Sequence, residues 1–270
     1  MVPCMLGTDL PHALEAFEEI VPPASELALF LDYDGTLTPI VDRPEDAQLS
    51  EAMRATLVRL GAQTPIILVS GRERSEVADL IGFDGPGFVG SHGFDIRGPQ
   101  GSAVRHEVGT DALPALDRAE RLLREELADV DGALVERKRF GLAAHYRLAS
   151  EAGRTQIEAA VHRAQAETEG LRLAGGKMVL ELRPDLDWDK GRAVLWLLET
   201  LHWERRLPIH IGDDLTDETV FAALHERGTG ILVADSADAE RETAARYRLE
   251  NPEEVRLFLG RIAEHGDASR

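Results

Sequence analysis

The fold is decided by the stretch Leu29-Phe30-Leu31-Asp32-Tyr33-Asp34-Gly35-Thr36-Leu37-Thr38-Pro39-Ile40. An apolar run over 27–31, predicted to be a buried strand, leads directly to the two carboxylates Asp32 and Asp34. In open α/β sheets, ligands bind at the carboxyl edge of the strands. Gly35 follows at once and allows the backbone to turn both carboxylates to one side. The stretch therefore predicts one strand of a parallel sheet with an acidic site at its edge.

The spacing of Asp32 and Asp34 suits phosphoryl transfer. A carboxylate such as Asp32 can attack phosphorus as a nucleophile. Asp34 can protonate the leaving oxygen and then deprotonate the water that breaks the aspartyl-phosphate. An acidic turn after a strand has the same pattern, so the pair alone leaves both interpretations open.

Composition excludes several kinds of partner. With 270 residues, of which 43% are hydrophobic, the chain can bury a sizeable core, and no apolar run approaches the ~20 residues of a membrane helix. The net charge of −19 argues against nucleic acid or an anionic membrane as partner. A single cysteine, Cys4, and an N-terminus without a signal-type apolar core predict a reducing, cytoplasmic location. The same negative charge repels a phosphate ester, so local cations must bind it, because screening acts over ~8 Å.

Two further polar groups follow predicted strands. Ser70-Gly71 comes after the apolar run 65–69 and offers a hydroxyl and an amide at a helix start, where phosphate groups bind. The acidic segment Gly212-Asp213-Asp214-Leu215-Thr216-Asp217-Glu218 comes after the run 208–211 and has the oxygen ligands that Mg²⁺ prefers. An ordinary Ser-Gly turn and an acidic helix start are the alternatives.

A lysine supplies the missing cation. The chain has three lysines, Lys138, Lys177 and Lys190, and Lys190 is predicted to begin a helix. Cations are disfavoured there by the helix dipole, so Lys190 is a candidate to hold an anion and the nucleophile together. A solvated lysine paired with Asp187 or Asp189 is the alternative.

The order of elements predicts an interrupted α/β domain. Strands and helices alternate up to about Gly98 and again after Pro184, as in a parallel sheet. Between them the pattern is α-β-β-α-β-β, which suits a small antiparallel sheet covered by two helices. We therefore predict a core of residues 1–98 and 184–270 and an inserted α/β cap of residues 99–183.

Together, D-x-D-G-T, S-G, the helix-start lysine and G-D-D-x-T-D, in that order, resemble the haloacid-dehalogenase-like hydrolases. The resemblance covers nearly the whole chain and implies a Rossmann-like parallel core with a cap. It also implies that Asp32 is the nucleophile, Asp34 the acid and base, and that Ser70 and Lys190 hold the phosphoryl oxygens. Mg²⁺ would be bound by Asp32, Asp34 through its carbonyl, and Asp213, supported by Asp214 and Asp217.

Finer motifs resemble the trehalose-6-phosphate phosphatases within that superfamily. They are Leu37-Thr38-Pro39, Ser70-Gly71-Arg72, Gly90-Ser91-His92-Gly93, Glu136-Arg137-Lys138, His145-Tyr146-Arg147 and Leu180-Glu181-Leu182-Arg183-Pro184. The chain has Asp95 where this family usually has Glu. The resemblance implies a sugar phosphate as substrate and possible cooperation with a trehalose-6-phosphate synthase. The implied substrate-binding residues are Gly71, Arg72, His92, Glu136, Lys138, Arg147, Lys177 and Glu181.

Strand alternation on the cap agrees with a polar recognition face. It puts Glu136 with Lys138, His145 with Arg147, and Lys177 with Glu181 and Arg183, opposite Met178, Leu180 and Leu182. An ordinary solvated sheet face has the same pattern.

Two alternatives remain at this point. The substrate could be another glycosyl phosphate, such as sucrose-phosphate or mannosyl-3-phosphoglycerate. The chain could instead be a phospho-accepting receiver or a Mg²⁺-binding regulator without catalytic activity. Asp34 and the inserted segment argue against a receiver, which requires neither.

Overall fold

The computed structural model describes residues 4–23, 26–41, 43–176, 178–235 and 240–268. The chain divides into two compact units, Met1–His106 with Trp188–Arg270, and Glu107–Asp187. We call the first the core and the second the cap. In the described part of the chain, no helix combines the length and the apolar composition needed to cross a membrane.

The described elements contain the predicted alternation of strands and helices, together with short strands that the sequence did not predict. Before the cap the core forms β1 (Met5–Leu6), α1 (Phe17–Ile20), β2 (Leu27–Leu31), α2 (Glu51–Gly61), β3 (Ile66–Val69), α3 (Arg74–Ile81), β4 (Gly87–Gly90), β5 (Asp95–Arg97) and β6 (Arg105–Glu107). The cap forms α4 (Leu113–Glu126), β7 (Leu134–Lys138), β8 (Gly141–His145), α5 (Glu151–Glu167), β9 (Leu171–Gly176) and β10 (Val179–Pro184). The core then resumes with α6 (Lys190–Thr200), β11 (Leu207–Gly212), α7 (Glu218–Leu224), β12 (Thr229–Val233), β13 (Glu242–Thr243), β14 (Tyr247–Leu249) and α8 (Pro252–Ala268).

The large sheet has the order β14-β12-β11-β2-β3-β4-β5-β6. Neighbours from β14 to β4 run parallel, and β5 is antiparallel to β4. Leu31 is in register with Leu68 on β3 and with Ile211 on β11. The residues that follow these three strands therefore meet at one edge of the sheet.

The cap begins and ends later in the chain than the predicted boundaries at 98/99 and 183/184. The reason is that β5 and β6 extend the large sheet past Gly98. On the return, Trp188 donates from Nε1 to the carbonyl of Gly93 at 2.8 Å, and the ring of His106 stacks on Trp196 with centroids 4.5 Å apart. Through these aromatic side chains, the chain before the cap, up to His106, and the chain after it, from Trp188, both pack within the core.

The cap sheet has the order β7-β8-β10-β9 and is antiparallel. One face packs against α4 and α5 through a hydrophobic cluster that includes Leu142, Ala144 and Leu182. Because side chains alternate along a strand, the residues between these positions lie on the opposite face.

Candidate active site

The buried ammonium of Lys190 joins two of the predicted acidic residues. Lys190 begins α6, whose N-cap Asp189 accepts a hydrogen bond from the amide of Arg192 at 2.9 Å. Lys190 Nζ lies 2.8 Å from Asp32 Oδ1 and 2.9 Å from Asp217 Oδ1. Lys190 is 2% exposed, so these are ion pairs shielded from water. The structure therefore brings the predicted lysine onto the predicted nucleophile.

Burial and neighbouring charges shift the pKa values of this group. Burial opposes the charge of Lys190, but the carboxylates of Asp217 and Asp32 outweigh it and raise the pKa of the ammonium above its ordinary value. Burial also raises the pKa of Asp32 despite the Lys190 ammonium, and Asp217 and Asp213 add to that shift. One lysine thus leaves excess negative charge among the three carboxyl groups.

A further cation fits this cluster. Oxygens of Asp32, Asp213 and Asp217 all lie within 4.8 Å of one another. Burial, with Asp217 and Asp214 nearby, raises the pKa of Asp213 to about 7. Gly35 has a φ of +76°, and a Cβ there would lie 2.1 Å from Asp213 Oδ2. Glycine is therefore required for Asp213 to approach the loop that carries the nucleophile.

Asp217 is held by a residue that sequence reasoning missed. The fully buried His210 places Nε2 3.0 Å from Asp217 Oδ1 and Nδ1 3.1 Å from the carbonyl oxygen of Phe30. Asp217 Oδ2 accepts from the amide of Asp214 at 3.1 Å. Burial opposes the charge of Asp217, but Lys190 and His210 lower its pKa below the ordinary value. In the sequence, the histidine inside the otherwise apolar run 208–211 is the feature that could have indicated this role.

Asp214 and Asp34 make different contacts from those expected of metal ligands. The Asp214 side chain caps the turn Leu215–Asp217 and accepts from Thr216 Oγ1 at 3.0 Å. It lies outside the cluster of Asp32, Asp213 and Asp217. The Asp34 carboxylate accepts from Arg72, from Nε at 2.6 Å and from Nη2 at 2.7 Å. Both carboxylate oxygens of Asp34 are therefore occupied by Arg72, and Asp34 lies outside the cluster of Asp32, Asp213 and Asp217.

Arg72 has several partners within the core. Besides Asp34, it pairs through Nη1 with Glu76 and donates from Nη2 to the carbonyl of Pro44 at 2.9 Å. Its guanidinium lies over the ring of Tyr33, 5.8 Å from the centroid. These contacts hold the Arg72 guanidinium against Asp34, and the substrate contact that the resemblance implied for Arg72 stays a prediction.

The Ser70-Gly71 loop packs against the loop that follows β4. Ser70 Oγ accepts from the amide of Arg72 at 3.1 Å, and the amide of His92 donates to the Ser70 carbonyl at 3.1 Å. A Cβ on Gly71 would lie 2.5 Å from His92 Cε1. Ser91 and His92 both adopt left-handed backbone, with φ of 50° and 56°, a conformation that costs energy in non-glycine residues. Ser70, Gly71 and His92 therefore form one tightly packed corner of the edge.

Asp95 also has a partner in the core. Both of its carboxylate oxygens accept from Arg74 Nε, at 2.9 Å and 3.0 Å. Arg74 is the first residue of α3, directly after the Ser70–Arg72 loop. The shorter carboxylate therefore fastens β5 to the start of α3.

The cap carries several predicted substrate-binding residues on its helix-free face. Glu136 and Glu181 are each in register with Ala143 on the strand between them. Glu136 Oε2 lies 2.8 Å from His145 Nε2, and Lys138 Nζ lies 3.8 Å from Glu136 Oε1. The hydrogen bond from His145 lowers the pKa of Glu136, and Lys138 adds to the effect.

One cap prediction is wrong, and another falls on a residue outside the described part of the chain. Strand β8 ends at His145, because a turn begins there in which the amide of Ala149 donates to the carbonyl of Tyr146 at 3.1 Å. Arg147 lies exposed in that turn, so its predicted pairing with His145 on one strand face is wrong. Lys177 lies outside the described residues.

The parallel core and its acidic edge, with a buried lysine paired to an aspartate, define a haloacid-dehalogenase-like fold. A solved haloacid dehalogenase-like hydrolase from Bacteroides thetaiotaomicron has the same fold, with a TM-score of 0.62 at 18% identity over 87% of this chain and 99% of that chain. The family model described as Trehalose-phosphatase matches residues 30–253. The chain belongs to the trehalose-phosphatase family.

Two relatives within that family are similar over most of this chain. A trehalose-phosphate phosphatase from Mycobacterium marinum is 41% identical over 262 residues, covering 95% of this chain and 66% of the relative. The chain thus spans just under two thirds of that relative's length. The solved C-terminal domain of the C. albicans trehalose-6-phosphate phosphatase is 25% identical, with a TM-score of 0.75 over 94% of this chain and 99% of that chain.

Proposed function

We propose that the chain is a Mg²⁺-dependent phosphatase that hydrolyses trehalose 6-phosphate to trehalose and phosphate. The observation that carries the chemistry is the buried Lys190–Asp32 pair beside Asp213, at the carboxyl edge of a parallel sheet. Family membership and the names of the relatives support the choice of sugar. Supply of substrate by a trehalose-6-phosphate synthase and a cytoplasmic location stay predictions.

The proposed reaction has two steps. Asp32 attacks phosphorus, the bond from phosphorus to the sugar oxygen breaks, and Asp34 donates a proton to that oxygen. Asp34 then takes a proton from a water molecule, which attacks the aspartyl-phosphate, and phosphate leaves with Asp32 restored. Lys190 and Ser70 hold the phosphoryl oxygens, because positioning and charge neutralisation are the main tasks in this chemistry.

The donor set fits Mg²⁺, which prefers hard oxygen ligands. Asp32, the Asp34 carbonyl and Asp213 would hold the ion, and Asp214 and Asp217 would support the loop around it. When bound, the ion supplies positive charge that neutralises the transferring phosphoryl group. The raised pKa values of Asp32 and Asp213 support this assignment, since crowded buried carboxyl groups gain from a cation.

We further propose that Glu136, Lys138 and Glu181 recognise sugar hydroxyls. Their mixture of donors and acceptors lies on the helix-free face of the cap sheet, with the small side chain of Ala143 between the two glutamates. Sites that pair hydroxyl groups discriminate strongly against analogues that lack them.

The test is kcat/KM for a panel of phosphorylated sugars with Mg²⁺ present, with p-nitrophenyl phosphate as the generic substrate. We expect kcat/KM to be higher for trehalose 6-phosphate than for sucrose 6-phosphate, mannosyl-3-phosphoglycerate or glucose 6-phosphate. A higher kcat/KM for a different sugar phosphate would overturn the proposed substrate and leave the assignment as a phosphatase intact. No phosphate release from any ester would favour a receiver or a non-catalytic regulator.

A further inference from the structure

An arginine far from the sequence motifs contacts the acidic segment. Arg241 lies in the connection between β12 and β13, and its Nη2 donates to the main-chain carbonyl of Asp213 at 2.8 Å. The same nitrogen lies 3.7 Å from Glu218 Oε1. Glu218 in turn accepts through Oε2 from the amide of Ala244 at 2.8 Å. Arg241 and Ala244, the residues on either side of β13, therefore both contact the acidic segment. Arg241 binds Asp213, and Ala244 binds Glu218.

The contact with the Asp213 carbonyl bears on the direction of the Asp213 side chain. That side chain points toward Gly35 and Thr36, with Thr36 Oγ1 3.4 Å from Asp213 Oδ1. The hydrogen bond from Arg241 restrains the peptide group after Asp213. It therefore limits the main-chain rotation that would carry the Asp213 carboxylate away from Asp32. Arg241 leaves the carboxylate oxygens themselves available, because it binds the main chain.

Charge adds to this effect. Asp213, Asp214, Asp217 and Glu218 lie within one short segment and repel one another. Lys190 neutralises the segment from the side of Asp217, and Arg241 does so from the side of Asp213 and Glu218. A cation placed outside the ligand cluster reduces the repulsion without competing for the site.

The N-terminal strand holds Arg241 in turn. The amide of Gly7 donates to the Arg241 carbonyl at 2.9 Å. Directly beside this contact, Met5 and Leu6 pair with Thr243 and Glu242. The main chain of Arg241 is therefore fastened to the N-terminal segment while its side chain contacts Asp213.

We propose that Arg241 is a positioning residue for divalent-cation binding, acting through the Asp213 main chain. The inference rests on the proposed function, because it assumes that Asp213 holds the ion. Partners that orient metal ligands typically contribute 10–100-fold to metal affinity. Arg241→Met should therefore weaken Mg²⁺ binding by about 10–100-fold. On p-nitrophenyl phosphate, kcat at saturating Mg²⁺ should stay close to that of the unmodified protein.

The control is Arg246→Met, which removes the same charge from an exposed position in the next connection, between β13 and β14. Calorimetric titration of the full chain with Mg²⁺, in the absence of substrate, compares the two variants. We expect Arg246→Met to keep the original affinity and both metal-free variants to melt at similar temperatures. Where Arg241→Met does not fold, the pair Arg241→Lys and Arg246→Lys takes its place, since lysine keeps the charge but lacks the guanidinium fork.

Equal Mg²⁺ affinity for the position-241 variant and its control would overturn the inference, as would an unmodified chain that binds no Mg²⁺. A loss of melting temperature without a change in affinity would show a structural role instead and also overturn it. Because binding is measured without substrate, failure to hydrolyse trehalose 6-phosphate would remove the proposed substrate and leave this inference standing.

Discussion

Arg72 holds the carboxylate of Asp34 through two hydrogen bonds, from Nε at 2.6 Å and from Nη2 at 2.7 Å. Two parallel hydrogen bonds from one guanidinium fix the direction of the carboxylate. In the second step of the proposed reaction Asp34 accepts a proton from water. The first step requires a protonated Asp34, so we expect Asp34 to leave Arg72 during the cycle.

Arg72→Lys should therefore lower activity on every phosphomonoester. Lysine keeps the positive charge but cannot offer two parallel donors to Asp34. We expect kcat to fall by about tenfold or more for trehalose 6-phosphate and p-nitrophenyl phosphate alike, up to the ~10²–10⁴-fold that general acid–base catalysis contributes. Steady-state kinetics on both substrates is the measurement. A raised KM with unchanged kcat would instead indicate that Arg72 binds substrate.

Asp34→Asn should separate the two chemical steps. The p-nitrophenolate leaving group needs no proton, so attack by Asp32 should proceed, whereas breakdown of the aspartyl-phosphate should be slow. Rapid mixing with p-nitrophenyl phosphate should therefore give a burst of about one equivalent followed by slow turnover. Asp32→Asn is the matched control and should give neither burst nor turnover while remaining folded. A burst in Asp32→Asn would refute its assignment as nucleophile.

The strand and helix ends of the site could be predicted because each lies next to a recognisable element. Asp32 directly follows β2, and Lys190 begins α6. Other contacts within the site could not be predicted in this way, because the spacing of residues does not encode the direction of a side chain across a fold. The pairing of Arg72 with Asp34 and the contact of Arg241 with Asp213 both join segments distant in the sequence.

In the cap, too, local alternation along a strand could be predicted, whereas the end of a strand could not. Alternation along β10 correctly separated the buried Leu182 from Glu181, since the period of a strand is local. It failed for Arg147, because β8 ends two residues earlier at a turn. The strand-like residues 142–148 contain no Gly or Pro after Gly141 that would indicate this end.

His210→Phe should weaken both stability and activity. The substitution removes the two ring nitrogens that lie beside the Phe30 carbonyl and Asp217 Oδ1. Loss of a buried partner typically costs about 1–3 kcal/mol in the free energy of unfolding. Because Asp217 also binds Lys190, we expect kcat to fall as well. Urea denaturation and kcat, compared with the exposed His162→Phe, measure both effects, and an unchanged kcat would contradict the link to Lys190.

Mg²⁺ binding should weaken as the pH falls below about 7. Burial, together with Asp217 and Asp214, raises the pKa of Asp213 to about 7. Below that pH the metal-free carboxyl group carries a proton that Mg²⁺ must displace, and above it the group is already ionised. The Kd should therefore rise by up to about tenfold for each pH unit below 7. Calorimetry in buffers of different ionisation enthalpy should detect the released proton, and a Kd independent of pH would contradict the prediction.

The cap variants Lys138→Ala and Glu136→Gln should affect the sugar substrate selectively. Lys138 and Glu136 lie 3.8 Å apart on the helix-free face, and Glu136 also bonds His145 at 2.8 Å. If these groups bind sugar hydroxyls, their loss removes binding energy that positions trehalose 6-phosphate but is absent with p-nitrophenyl phosphate. We therefore expect kcat/KM to fall by about tenfold or more for trehalose 6-phosphate, the equivalent of roughly 1.4 kcal/mol, and to change little for p-nitrophenyl phosphate. Arg124→Ala, on the exposed surface of α4, is the control and should affect neither substrate. Equal losses on both substrates would mean that Glu136 and Lys138 support the fold of the cap.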